Sequence, residues 1–212
     1  MSRKILLTSF QTWRPEQKSN SSDDLLEKIA QDTGSDSLTF LRQLPVNIPE
    51  AASRVITKIE EVQPDAIICC GMAQSRQKLT IESRATCGNS SYRIRLYSYW
   101  LAICRKLNLN GFEDILPIFL GIGDRSDLRL IRTSVNLVKL LDGLSNTEIS
   151  HEAGKFVCEG LYYELLKYLR KRNLATPCIF VHVPILTPEN LPVILADFQL
   201  IIEKMSFAPV FY

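Results

Sequence analysis

Short runs of consecutive apolar residues recur along this chain and alternate with helix-period patterns. Ile5-Leu6-Leu7, Ile67-Ile68-Cys69-Cys70 and Cys178-Ile179-Phe180-Val181 carry no polar position at all. A strand that is apolar at every position has no face to offer water, so it belongs in a sheet covered on both sides. Such strands separated by amphipathic helices give an α/β fold: a three-layer α/β/α sandwich around a largely parallel, twisted sheet. Residues 4–10, 38–44, 65–70 and 147–150 read as strands, with Gly71 ending the third. Residues 78–85 read as extended, and 178–183 as a continuous apolar strand closed by Pro184. Helices are expected over 22–30, with Ser21 or Ser22 as N-cap, and over 49–62, opened by Pro49. Further helices are expected over 128–141, 156–170 and 191–205, and 97–106 has a helical pattern within the otherwise hard-to-read stretch 87–125.

Composition narrows the function classes. The 212 residues suit one domain over residues 1–212, and 46% hydrophobic with 23% charged residues is a globular balance. A formal net charge of +2 argues against a nucleic-acid partner. The run Arg170-Lys171-Arg172 reads as favourable charge at a helix C-terminus. No signal peptide is expected, since Ile5-Leu6-Leu7 is followed by polar residues. No apolar stretch approaches the roughly 20 residues that span a bilayer, so no membrane partner is expected. The six cysteines lack C-x-x-C spacing and read as reduced thiols in a reducing, cytoplasmic compartment. Two histidines and no ligand spacing argue against zinc, so neither a metal nor a cofactor is expected.

In open α/β sheets, sites lie beyond the carboxyl ends of strands. His182 is near the end of its strand, where it suits either a catalytic base or a buried imidazole satisfied by a carbonyl. Cys158 falls at the start of the 156–170 helix, where the helix dipole favours thiolate, although a small core residue is equally natural there. Together they can meet at one sheet edge as nucleophile and base. Glu82 can orient an imidazole, or can be a solvated charge. His151 is a rival base on a less rigid loop. Vicinal Cys69 and Cys70 read as core packing rather than a redox pair. Gly121-Ile122-Gly123 lacks the rest of a phosphate-binding fingerprint, which weakens a phosphorylase-like alternative.

Five segments, in order, make the chain resemble pyroglutamyl peptidase I, also called pyrrolidone-carboxylate peptidase (cysteine peptidase family C15). They are Ile5–Phe10; Leu44-Pro45-Val46 with its helix and Gln63-Pro64-Asp65; Gly71 through Arg76 to Ile81-Glu82; Ala153-Gly154-Lys155-Phe156-Val157-Cys158; and Phe180-Val181-His182-Val183-Pro184. The resemblance implies a cytosolic hydrolase that releases N-terminal pyroglutamate from peptides without a cofactor. It implies Cys158 as nucleophile, His182 as base and Glu82 as its orienter. It places substrate-binding positions at Phe10, Trp13, Phe156 and Val157, with Arg93 as the nearest match to a family arginine. It also allows a homo-oligomer, a tetramer in the family. The departures lie in the turn Thr12-Trp13-Arg14-Pro15 and in Gly71-Met72-Ala73-Gln74-Ser75-Arg76, where the family carries more glycines and, at Met72, a glutamine. A relative that binds peptides or small amides with weakened or absent catalysis is the alternative reading.

Overall fold

The computed structural model describes residues 3–32, 37–86, 130–154 and 156–207. Eight strands and five helices are present among them. In chain order they are β1 (Ile5–Phe10), α1 (Ser21–Asp32), β2 (Leu38–Leu44), α2 (Ile48–Val62), β3 (Ala66–Met72), β4 (Leu79–Glu82), β5 (Arg84–Ala85) and β6 (Ile131–Arg132). Then follow α3 (Leu137–Leu141), β7 (Thr147–Ser150), α4 (Val157–Lys171), β8 (Cys178–Val183) and α5 (Leu191–Phe207). Six strands form one sheet in the order β2-β1-β3-β8-β4-β7, and β5 pairs with β6 in a small ribbon. Pairings β1–β2, β1–β3, β3–β8 and β4–β7 are parallel; β4–β8 alone within the large sheet is antiparallel.

The all-apolar strands are buried on both faces, as their sequences require. Every residue of β1 and of β8 is buried. Ile5 and Leu7 share one core with Leu25, Leu26 and Ile29 of α1 and with Phe198 and Ile201 of α5. Leu6 and Phe10 share the opposite core with Val55 and Ile59 of α2 and with Leu161 and Leu165 of α4. Each such side chain contributes about 1.5–3 kcal/mol on leaving water, so the two cores clamp the sheet from both sides. This is the three-layer α/β/α architecture. Among the described residues, no helix is long and apolar enough to cross a membrane.

Three local expectations are corrected. Helix α1 starts at Ser21 rather than being capped there. Asn20 stands one residue earlier and its Oδ1 accepts from Ser22 N at 3.0 Å, the cap role a short amide performs well. Strand β3 does not end at Gly71: the ladder pairs Gly71 with His182 and Met72 with Val183. Glycine is there for space rather than for a turn, as the site makes plain. The described part of the expected 128–141 helix is mostly not helical. Ile131–Arg132 pairs with β5, and α3 covers only Leu137–Leu141. The reason lies in two short polar side chains that bond backbone in non-helical ways. Thr133 Oγ1 donates to Cys178 O at 2.7 Å and accepts from Val135 N at 3.1 Å, while Asn136 caps α3 by accepting from Lys139 N at 3.1 Å. The 97–106 pattern and Gly121-Ile122-Gly123 lie outside the described residues.

Candidate active site

The strand order brings three chemistry-bearing residues to one face of the sheet. Across β3–β8, Gly71 is the register partner of His182, and across β8–β4, His182 is the partner of Thr80. Two residues beyond Thr80, Glu82 returns to the same face. Its carboxylate Oε1 lies 2.8 Å from His182 Nδ1. Glu82 is fully buried and His182 is 6% exposed, so the solvated-charge reading of Glu82 does not hold. The cause is topological: β4 is inserted between β8 and β7, which turns a charge near a loop into an interior one. A carboxylate on Nδ1 assigns the proton to that nitrogen and leaves Nε2 as the acceptor. Glu82 Oε2 is buried with no hydrogen-bond partner among the described residues. Phe180, two residues before His182, packs its ring 5.0 Å from the imidazole, centroid to centroid.

Cys158 is the second residue of α4. Phe156, in extended conformation, is the N-cap and supplies no side-chain cap bond to the first N–H groups of α4. The thiol seats over Gly71: a Cβ added at that glycine would meet Cys158 Sγ at 2.7 Å and Phe180 Cζ at 2.9 Å. Gly71 is therefore the gap in the sheet surface into which the sulfur drops. The expected thiolate-favouring environment is corrected. Burial pushes the Cys158 thiol up to about 12, against the downward pull of its own backbone N–H at the helix start, and the negative side of Glu82 adds to the rise. The resting group is thus a thiol, and its ionisation needs a base. His182 and Cys158 line the same cavity; no hydrogen bond joins the two in this structure.

That cavity has a volume of about 870 Å³ and opens beside the carboxyl ends of β1, β3 and β8. Phe10 lies at its base, 2% exposed, and Val157 borders the thiol. Trp13 and Phe156 stand at the rim, 42% and 81% exposed, so they offer surfaces at the mouth rather than an enclosed wall. The Trp13 turn is held by Gln17, whose Oε1 accepts from Trp13 N at 3.2 Å and whose Nε2 reaches Met72 Sδ at 3.7 Å. Of the positions expected to bind substrate, Phe10, Trp13, Phe156 and Val157 all line this cavity; Arg93 lies outside the described residues. A smaller cavity of about 470 Å³, between Arg132 and Arg170, contains none of Glu82, Cys158 and His182.

His151 is exposed and its Nδ1 shares a 2.7 Å hydrogen bond with Ser83 Oγ, so its ring is turned to a different partner. Cys69 and Cys70 are buried in opposite cores, consistent with packing. Two residues with no role in the sequence reading support the site. Tyr162 OH lies 3.2 Å from Glu82 O and 3.4 Å from Cys178 O, linking β4 to β8 beneath the imidazole. Glu159, buried beside Cys158, accepts from Thr86 N at 3.2 Å and from the Thr86 hydroxyl, and so ties the end of β5 to α4, the helix that carries Cys158. Neither had a sequence signal beyond its position in a helix pattern.

The geometry can be set beside known proteins. A family model described as pyroglutamyl peptidase matches residues 3–95. The pyrrolidone-carboxylate peptidase of Brachyspira hyodysenteriae is 25% identical over 193 residues, covering 89% of this chain and 86% of that protein. The pyrrolidone-carboxylate peptidase of Vibrio campbellii is 27% identical over 194 residues, covering 89% and 81%. Among solved structures, pyroglutamyl peptidase I of Bacillus amyloliquefaciens superposes with a TM-score of 0.69 at 17% identity, covering 97% of each chain. Pyrrolidone carboxyl peptidase of Thermococcus litoralis gives 0.68 at 15% identity, covering 97% of this chain and 93% of that one. At such identities the structural likeness establishes the fold.

Proposed function

We propose that this chain, a divergent relative of the pyroglutamyl peptidases, hydrolyses the bond after an N-terminal pyroglutamyl residue by thiol catalysis, with Cys158, His182 and Glu82 as the reacting constellation. The observation that carries the proposal is the buried Glu82–His182 pair sharing one cavity with the Cys158 thiol. His182 Nε2 takes the thiol proton, and Cys158 Sγ forms a bond to the pyroglutamyl carbonyl carbon. The tetrahedral oxyanion is stabilised by N–H groups at the start of α4. Collapse breaks the C–N bond, and His182 returns the proton to the leaving amine. Water, deprotonated by the same nitrogen, then cleaves the thioester and restores the thiol. Glu82 keeps Nδ1–H in place and stabilises the imidazolium that forms in each half-reaction.

The substrate reading rests on the cavity's apolar base at Phe10 and Val157 and its aromatic rim at Trp13 and Phe156. A neutral, flat lactam loses little on entering such a surface, provided that its polar atoms meet backbone groups. The cavity volume exceeds a single small ring, which leaves room for the first residues of the leaving peptide. The proposal extends to one domain over residues 1–212 acting in the cytoplasm as a homo-oligomer; light scattering of the purified chain checks the assembly.

One observation favours the second reading, a relative that binds without efficient turnover: the hydrogen bond of the His182 ring is to Glu82, and none joins it to the Cys158 thiol. Hydrolysis of a pyroglutamyl-amide reporter, measured before and after thiol alkylation, separates the two. Turnover abolished by alkylation supports the peptidase. Binding of a pyroglutamyl inhibitor to the untreated protein without turnover supports the weakened relative.

A further inference from the structure

Glu82 poses an electrostatic problem that His182 alone does not solve. It is a carboxylate without solvent exposure, with one oxygen on the imidazole N–H and the other without a hydrogen-bond partner among the described residues. An interior charge of this kind persists only where a counter-charge or several donors compensate for lost hydration. Among the described residues, the permanent cation paired with it is Arg76, whose Nη2 lies 3.9 Å from Glu82 Oε1.

The guanidinium is seated rather than free. Nη2 donates to Ser150 Oγ at 3.3 Å and to Glu152 O at 3.4 Å. Ser150 Oγ is itself fixed, accepting from Glu152 N at 3.1 Å. Ser150 is also the register partner of Glu82 across β4–β7. The strand end that pairs with the carboxylate therefore also holds the cation beside it. Among the described residues, the other groups that interact with this carboxylate are His182 from β8 and Cys158 and Tyr162 from α4, none of them a permanent cation.

We infer that Arg76 is a positioning residue of this site: its seated guanidinium holds the Glu82 carboxylate in place against the Nδ1–H of His182, which keeps Nε2 available for the Cys158 proton. The inference rests on the thiol-peptidase reading of the site but not on the identity of its substrate. Arg76 also lines the cavity, so a direct contact with substrate is the competing role. The two differ in what they change. A residue acting through Glu82 lowers kcat and slows proton removal from the thiol, whereas a substrate contact raises KM.

The test uses the full chain with Arg76→Met, Arg76→Gln and Arg76→Lys. Two rates are read: alkylation of Cys158 by iodoacetamide at neutral pH, mapped by mass spectrometry, and hydrolysis of a pyroglutamyl-amide reporter. Loss of the cation is expected to slow Cys158 alkylation by about two- to fivefold and to lower kcat by a similar factor with KM unchanged, the scale of a partly exposed ion pair. Lysine is expected to restore most of both rates. In a His182→Ala background, Arg76→Met is expected to slow alkylation no further, a coupling that a merely structural role would not produce. Wild-type alkylation rates in both neutral variants, or a raised KM with unchanged kcat, overturn the inference. Absence of reporter hydrolysis in the wild type, with alkylation still dependent on Arg76, sinks the pyroglutamyl reading and leaves the role of Arg76 standing.

Discussion

Gly71→Ala is the smallest change that tests how the thiol is seated. The added Cβ would meet Cys158 Sγ at 2.7 Å, Phe180 Cζ at 2.9 Å and Phe180 Cε1 at 3.1 Å. Optimal contacts lie near 3.5 Å or beyond, so the sulfur must retreat by about 0.7 Å or more and the ring by about half an ångström. The ring cannot move independently, because it packs 5.0 Å from the His182 imidazole. Cys158 and His182 are displaced at once. Overpacking of this kind costs about 1–3 kcal/mol of stability, which in a chain of this size lowers Tm by about 2–4 °C per kcal/mol. Misplacement approaching 1 Å between nucleophile and base costs up to about a hundredfold in rate, so kcat is expected to fall by roughly ten- to a hundredfold. Differential scanning fluorimetry and reporter hydrolysis read the two effects on one preparation. A Gly71→Ala protein with wild-type Tm and kcat would refute the seating of Cys158 over this glycine.

Three further outcomes follow from the same geometry. Glu82→Gln removes the charge behind His182 while keeping its shape, and is expected to lower kcat by about 10²–10⁴-fold with KM within about twofold; steady-state kinetics decide it, and a kcat within a few-fold of wild type sinks the orienting role. In His182→Ala the Cys158 thiol loses its base, and because burial holds the protonated form up to about 12, its alkylation rate is expected to keep climbing with pH through 9 and 10; a plateau below pH 9 contradicts this. Asp197 of α5 would be pushed up by burial, but hydrogen bonds from Thr147, Ser145 and Asn146 outweigh that and hold its carboxyl below the usual range. Its stabilisation is therefore present above about pH 4 and lost as pH falls through the depressed value, so Asp197→Ala is expected to cost about 2–4 kcal/mol at neutral pH and progressively less in acid. Chemical denaturation at several pH values measures it, and a pH-independent difference refutes it.

Much of the fold was legible, most plainly in β8, which is buried at every position, and also in β2 and β7, which are only partly buried. Leu38–Leu44, Thr147–Ser150 and Cys178–Val183 are strands with the bounds expected from sequence. Boundaries slipped where short polar side chains decide them: Asn20 rather than Ser21 caps α1, and Thr133 and Asn136 break the helix expected over 128–141. Gly71 was misread for a related reason. Its conformational freedom is visible in sequence, but the need for room comes from Cys158 and Phe180, which are distant in the chain. Cys158, His182 and Glu82 could be named from the sequence because each lies at the end of an element. Their surroundings could not. That Glu82 is buried depends on the antiparallel insertion of β4 next to β8, and that the thiol is raised rather than lowered depends on burial outweighing the helix start. Arg76 matched a motif, yet its pairing with Glu82 needs the β4–β7 register that seats it.

The role of Cys158 as nucleophile is tested most directly by trapping the covalent intermediate. The wild-type protein is mixed with a pyroglutamyl ester or amide, quenched in acid within the first turnovers, and digested for peptide mapping by mass spectrometry. The expected result is a pyroglutamyl thioester confined to the peptide that carries Cys158, absent from Cys158→Ala, which also loses turnover. Turnover that survives in Cys158→Ala, or an adduct on any other residue, would contradict it.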